Sequence, residues 1–190
     1  MKINLYDFDE TIYDGDSSVD FFKYCMKKHK SIYFNLPKMG GAALLYALHI
    51  WTKTRMKETI FSFVQKVDDI DKEVEEFWKT HKKNIKQFYN DKKHDKDIII
   101  SASPEFLLAP IAKELKVMDM MASPVDKKTG KFDGLNCHDV EKVRRLNEKY
   151  TDYEVEETYS DSLKSDEPIL RLAKKPYIVK KNKLILHKFR

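Results

Sequence analysis

Tyr6-Asp7-Phe8-Asp9-Glu10-Thr11 decides the reading of this 190-residue chain. Ile3, Leu5 and Tyr6 lead into it as a short buried strand, and Asp14-Gly15-Asp16-Ser17-Ser18 follows it as a turn. Asp7 and Asp9 thus stand close together where a strand ends. Two charges so placed are costly to keep unless they have partners. Their carboxylates repel, and a cation beside them is the simple way to stabilise both. The stretch therefore reads as a catalytic site, with Asp7 as nucleophile and Asp9 as general acid/base.

Outward from this site, residues 19–30 read as a helix whose apolar positions are Val19, Phe22, Tyr24 and Met26, with Ser17 or Ser18 as cap. In residues 35–51, Leu36, Met39, Leu44, Leu45 and Leu48 recur at helical spacing. Gly40-Gly41 either weakens that helix or marks a close approach of backbones. Met56, Ile60, Phe63, Val64 and Val67 continue the pattern over 53–67. Ile70, Val74, Phe77, Trp78, His81, Ile85, Phe88 and Tyr89 trace one stripe, which predicts a single long amphipathic helix. Residues 15–93 are thus expected to be a helical block without a strand.

The texture changes at Asp95. Asp97-Ile98-Ile99-Ile100-Ser101 lacks polar alternation, as in a strand buried on both faces. A helix is expected over 104–115, with Pro104 in its first turn and Ser103 placed to cap it, and a strand over 117–122. Thr129-Gly130 predicts a hairpin turn within 124–136. Helix, strand, helix and strand follow over 140–150, 153–159, 166–174 and 177–180. Such alternation predicts an α/β fold with a mostly parallel sheet, to which the N-terminal strand returns across the helical block. Ligands in such sheets bind at the carboxyl ends of strands. Asp7 with Asp9, Ser101, and Ser160 with Asp161 occupy those ends.

These residue types suit phosphoryl transfer. A carboxylate that attacks phosphorus forms an aspartyl phosphate and divides one hard displacement into two easier ones. Mg²⁺ takes a few carboxylates together with water and substrate oxygens, which Asp7 and Asp161 supply. Asp9 is placed to protonate the leaving oxygen and then to activate water. Ser101 precedes a helix start and suits a phosphate oxygen. Lys142, at the start of a helix, supplies a fixed positive charge for nucleophile and phosphate.

Composition narrows the partners. The net charge of +5 is spread over many lysines, which favours anionic ligands; no basic arm or nucleic-acid motif accompanies it, so no nucleic-acid partner is expected. The two cysteines, Cys25 and Cys137, lie far apart and match no zinc pattern. They read as free thiols of a cytoplasmic protein, and no signal peptide is visible. His138 beside Cys137 offers a thiol mechanism that explains the chain less well than the carboxylates do. The apolar run 39–51 is too short to span a bilayer. Packing is its expected use, and contact with a membrane interface is the alternative.

Asp7-Phe8-Asp9-Glu10-Thr11, Ser101-Ala102-Ser103, Lys142 in Glu141-Lys142-Val143-Arg144-Arg145-Leu146, and Tyr159-Ser160-Asp161 with Asp166 resemble the four ordered motifs of the haloacid dehalogenase (HAD) superfamily, in its phosphoserine phosphatase-like branch. The segment from Thr129 to Cys137 also looks like that branch. The resemblance implies a Rossmann-like three-layer core, residues 1–14 and 94–190, with an all-helical cap inserted over 15–93. It implies Mg²⁺ held by Asp7, the main-chain carbonyl of Asp9 and Asp161. Phosphate would be bound by Ser101, Ala102 and Lys142. Four residues, Ser162 to Ser165, separate Asp161 from Asp166, one more than the branch often has. Asp166 is kept as an outer metal or water-orienting carboxylate, with Glu167 as its substitute. An acid at position 9 is similar to the phosphatase members and disfavours dehalogenation.

The expected activity is therefore Mg²⁺-dependent hydrolysis of a small phosphorylated metabolite. A lipid phosphate resembling phosphatidylglycerophosphate is a second reading, and a non-catalytic phosphate-binding module a third. Tyr13, Phe21, Met39 and Trp51 are candidates for lining the substrate pocket.

Overall fold

The computed structural model describes residues 1–189. The chain begins with β1 (Lys2–Tyr6) and continues through α1 (Ser17–Lys28), α2 (Leu36–Ala47), α3 (Lys53–Phe61), α4 (Ile70–His81) and α5 (Gln87–Lys92). It then alternates: β2 (Asp97–Pro104), α6 (Glu105–Leu115), β3 (Asp119–Ser123), α7 (Val140–Lys149), β4 (Glu154–Ser160), α8 (Leu163–Leu170), β5 (Ala173–Lys180) and β6 (Lys183–Leu186). The strands form one sheet in the order β3-β2-β1-β4-β5-β6. All neighbours are parallel except β5 and β6. β1 is central, with β2 on one side and β4 on the other. The chain runs from β1 through β2 to β3 on one side and crosses from β3 to β4 on the other, so the carboxyl ends of β1 and β4 open onto the crevice where α/β sheets take ligands.

Alternation along the strands builds two cores. Ile3, Leu5, Ile98 and Ile100 join Leu146 of α7 and Ile169 of α8 on one face. Tyr6, Ile99 and Tyr159 face the other way, into a larger cluster with Leu107 and Leu108 of α6 and Phe77 and Trp78 of α4. Three aromatic rings stack across paired strands there: Tyr6 on Tyr159 at 4.5 Å and Tyr159 on Tyr177 at 5.1 Å. The buried indole N–H of Trp78 donates to the Leu107 carbonyl at 2.7 Å and ties α4 to α6. The larger cluster runs unbroken from the sheet into the helical insert, reaching Phe21 and Phe63.

The helix expected over 70–89 is broken. α4 ends at His81, and a 3-10 turn, Lys82–Asn84, leads to an isolated bridge between Ile85 and Tyr13. The Lys86 N–H donates to Ile12 at 2.8 Å. The loop after β1 needs these backbone partners, and Phe88 and Tyr89 still reach the core from the short α5. Ser103 does not cap α6: β2 runs on to Pro104, and the Ser103 hydroxyl is used elsewhere. The 124–136 segment pairs at one bridge only, Val125 with Phe132. β6 adds a strand beyond those expected; its apolar run, Leu184-Ile185-Leu186, is short and mostly exposed.

α2 departs most from its expected packing. Only Met39 and Ala42 are buried in it. A Cβ at Gly40 or Gly41 would meet nothing within 4 Å, so these glycines mark no close approach. No helix among the described residues is long and apolar enough to cross a membrane.

Candidate active site

Asp7 follows directly on β1, and its N–H donates to the Tyr159 carbonyl at 2.9 Å, which continues the pairing with β4. The chain then turns tightly: the N–H groups of Thr11, Ile12 and Tyr13 all converge on the Phe8 carbonyl. Glu10 sits in the left-handed region at φ 55°. Gly15, at φ 131°, accepts from the Glu10 N–H at 2.8 Å and closes the loop. Asp16 caps α1 by accepting from Val19 N–H at 2.9 Å, an interaction of about 1 kcal/mol. Thr11 accepts the Asp161 N–H at 2.8 Å and so fastens this loop to the end of β4.

Four charged groups from separate elements meet here. Lys142 Nζ lies 2.7 Å from Asp7 Oδ1 and 2.6 Å from Asp166 Oδ1. Asp7, Asp161 and Asp166 each offer an oxygen within 4.8 Å of the others. Asp166, near the start of α8, also accepts from the Ser160 hydroxyl at 2.6 Å. Glu167 faces outward and pairs with Arg171, so Asp166 is the acid of this segment that joins the cluster.

Burial shapes the titration of these groups. It pushes the Asp7 carboxyl up; Lys142 pulls it back, and Asp166 pushes it up again, for a net rise. Burial works against the Lys142 ammonium, but Asp7 and Asp166 overturn that and raise it above the ordinary lysine value. Lys142 therefore keeps its charge, while the Asp7 carboxyl rises to about 8. Burial, then Asp166, raises Asp161. Three carboxylates around one ammonium leave negative charge in excess, which a further cation would relieve.

Asp9 is held apart from this cluster. Its Oδ1 accepts from the Ser17 N–H at 2.6 Å and its Oδ2 from the Ser103 hydroxyl at 2.5 Å. Burial and then Asp16 push it up to about 6, against the pull of Ser103 and Ser17. Ser101 is buried, and its hydroxyl oxygen accepts from the Ser103 N–H at 3.1 Å, leaving its own proton to donate. Ala102 and Ser103 line the cavity at this site, whereas Ser101 lies behind them.

The cavity measures about 480 Å³ and lies between the sheet edge and the helical insert. Asp7, Asp9, Lys142 and Asp161 form its floor, and Val19, Phe22, Met56 and Ile60 an apolar wall. None of Tyr13, Phe21, Met39 and Trp51 lines it: the first three are buried, and Trp51 stacks under Arg55. Two insert lysines, Lys53 and Lys57, also face the cavity. Lys57 Nζ donates to the Ala102 carbonyl at 2.9 Å and to Asn136 Oδ1 at 3.3 Å. Burial and the nearby Lys53 push its ammonium down to about 8, with Asp16 and Asp9 opposing. Lys86 is the other unanticipated residue. Its ammonium is buried, donates to the Glu10 carbonyl, and stands 3.9 Å from Asp14. It thereby holds the loop that carries Asp9.

Spacing could have found the cavity lysines, since Lys53, Met56, Lys57 and Ile60 share one face of α3. Nothing local marks Lys86, which interrupts an apolar stripe. The Cys137–His138 alternative loses its footing. Cys137 is fully buried, and burial pushes its thiol up to about 11. Burial, followed by Lys53, lowers His138. Both cysteines are free.

A family model of haloacid dehalogenase-like hydrolases matches residues 5–171. No curated protein matches the sequence. Among solved structures, a protein of unknown function from Bordetella pertussis Tohama I is similar with a TM-score of 0.74 at 20% identity, covering 92% of this chain and 88% of its own. A phosphoserine phosphohydrolase-like protein from Francisella tularensis subsp. tularensis SCHU S4 gives 0.55 at 15% identity, covering 93% and 86%. A phosphoserine phosphatase in its apo form gives 0.50 at 14% identity, covering 92% and 84%. At these identities the likeness is one of fold.

Proposed function

Because this chain belongs to the haloacid dehalogenase-like hydrolase family, we propose that it is a Mg²⁺-dependent phosphomonoester hydrolase working through an aspartyl phosphate on Asp7, with a small phosphorylated metabolite as substrate. The observation that carries this reading is the cluster of Asp7, Lys142, Asp161 and Asp166 at the crevice end of β1, facing a cavity with Asp9 at its side.

The donor set fits a hard divalent cation. It consists of carboxylate oxygens, close together and with charge in excess of the one ammonium among them. Asp7, Asp161 and the Asp9 carbonyl would hold Mg²⁺, with Asp166 behind them. When bound, the ion supplies neutralisation of the phosphoryl oxygens and of the carboxylates that face them.

Each residue then has a task. A carboxylate oxygen of Asp7 attacks phosphorus, and the bond from phosphorus to the ester oxygen breaks. Asp9 gives its proton to that leaving oxygen, for which a value of about 6 suits it near neutral pH. In the second step Asp9 takes a proton from water as the water attacks phosphorus, releasing phosphate and restoring Asp7. Lys142 orients the Asp7 carboxylate and favours its ionised form. The Ala102 amide and Lys142 meet the phosphate oxygens from the cavity, and the buried Ser101 hydroxyl, whose proton is free, joins them through a local rearrangement on binding. Residues 15–93 serve as a cap over the core of 1–14 and 94–190, and cap closure limits bulk water.

The decisive experiment is a panel of phosphomonoesters assayed with and without Mg²⁺, on the wild type and on Asp7→Asn. Turnover that needs both Mg²⁺ and Asp7 is expected. Robust hydrolysis by a folded Asp7→Asn protein would remove the nucleophile assignment. Failure on every ester would leave a phosphate-binding module.

A further inference from the structure

From Phe21 to Lys57 the chain carries eight Lys or Arg residues and no Asp or Glu, so this one stretch outweighs the +5 of the whole molecule. The same stretch holds a dense group of exposed apolar side chains. Phe34 is 86% exposed, Leu44 and Leu48 60%, and Ile50 64%, with Tyr33 and Tyr46 beside them in sequence. Lone exposed apolar residues are ordinary, but so many within one turn-helix-turn unit are not.

The unit is fixed rather than loose. The N–H of Leu48 donates to the Leu44 carbonyl, that of His49 to Tyr46, and those of Ile50 and Trp51 to Leu45. His49, at φ 59°, turns the chain sharply there. Leu48 and Ile50 are therefore held outward on a hydrogen-bonded corner. α2 turns only Met39 and Ala42 inward and packs on α3, the helix that brings Lys53 and Lys57 to the cavity. Lys27, Lys30, Lys38 and Arg55 are exposed and have no carboxylate partner among the described residues.

We propose that this face, the corner at Leu44, Leu48 and Ile50 with Phe34 and its lysine rim, docks on an anionic lipid bilayer. A short apolar helix without acidic residues, flanked in sequence by exposed cations that lack carboxylate partners, has the composition of an element that lies in the headgroup region. Anionic lipid complements the charge, and apolar insertion removes the exposed side chains from water. A protein partner or second copy would need a matching acidic, apolar surface, and no equally dense exposed apolar group is present among the described residues to offer one.

The test is co-sedimentation with vesicles of phosphatidylcholine alone or mixed with phosphatidylglycerol. It requires no turnover, so it stands or falls apart from the phosphatase reading. The wild type should pellet with the mixed vesicles, less so at high salt, and stay in solution with phosphatidylcholine. The triple variant Leu44→Glu, Leu48→Glu, Ile50→Glu should stay in solution while retaining its circular dichroism and its melting temperature. Lys30→Gln with Lys38→Gln should weaken binding without touching the apolar corner. Absence of wild-type binding, equal binding to neutral vesicles, or undiminished binding by both variants would overturn the proposal. So would a wild-type dimer in solution that the triple variant abolishes, since the face would then be an interface between copies.

Discussion

Lys142 Nζ lies 2.7 Å from Asp7 Oδ1, although the two residues stand 135 positions apart in the chain. The contact is buried, and Lys142 closes it from the other side on Asp166 at 2.6 Å. This places one positive charge between two carboxylates at the end of the central strand. Removing that charge by Lys142→Met leaves two buried acids without their cation. Destabilisation of about 3–5 kcal/mol is expected in metal-free buffer. Mg²⁺ should recover part of it, and should also raise the melting temperature of the wild type by linkage. Chemical denaturation with and without Mg²⁺ measures both effects. A wild-type melting temperature indifferent to Mg²⁺ would count against a metal at this cluster.

Lys57 reaches the cavity from α3 and touches the Ala102 carbonyl. Lys57→Met should raise KM for a phosphomonoester by about tenfold, the worth of one charge-assisted hydrogen bond, with a smaller effect on kcat. The lysine is charged below about 8 and loses that charge above it. Wild-type KM should therefore climb as pH rises through 8, and the Lys57→Met variant should lack that climb. Steady-state kinetics across pH reads both.

Gly130 holds the turn of the 124–136 segment against the end of α3. A Cβ there would stand 2.5 Å from the Phe61 carbonyl carbon and oxygen, and φ is +76°. Both backbones are fixed, so the clash has no flexible atom to relieve it. Gly130→Ala should cost about 1–3 kcal/mol of stability. Thermal unfolding measures it; unchanged stability would mean that this turn does not meet the helical insert in solution.

Glu141 accepts from Arg144 Nε at 2.7 Å and from Arg145 Nε at 2.8 Å. Arg144 first, then Arg145 against the opposing effect of burial, hold its carboxyl down at about 2. A folded value below the unfolded one, about 4.3, means that the stabilisation is complete above pH of about 4.3 and fades as pH falls toward about 2. The stability gap between wild type and Glu141→Gln should be widest near neutrality and close on acidification. Urea unfolding from pH 7 down to pH 3 measures the gap.

The mostly parallel sheet could be anticipated because strands buried on both faces are written as continuous apolar runs, Ile98-Ile99-Ile100 being the plainest. The carboxyl ends of those runs then name Asp7, Ser101 and Asp161 by position alone. Helical spacing was less informative. It joined 70–89 into one helix, because the stripe from Ile70 to Tyr89 keeps its apolar face across the break at Lys82–Asn84. The backbone demand of the loop at Ile12 and Tyr13 lies far away in sequence and leaves no mark on that stripe.

By itself, then, the sequence determined the α/β class, the inserted helices and the acidic end of β1. These follow from local patterns: period, run length, and the residue that ends a strand. Only the tertiary structure decided that Asp166 rather than Glu167 turns inward, that Lys57 and Lys86 reach the loops around Asp9 and Ala102, and that α2 leaves its apolar side uncovered. Periodicity tells which residues share a face. What that face meets, whether a carboxylate, a backbone carbonyl or nothing, depends on elements distant in the chain.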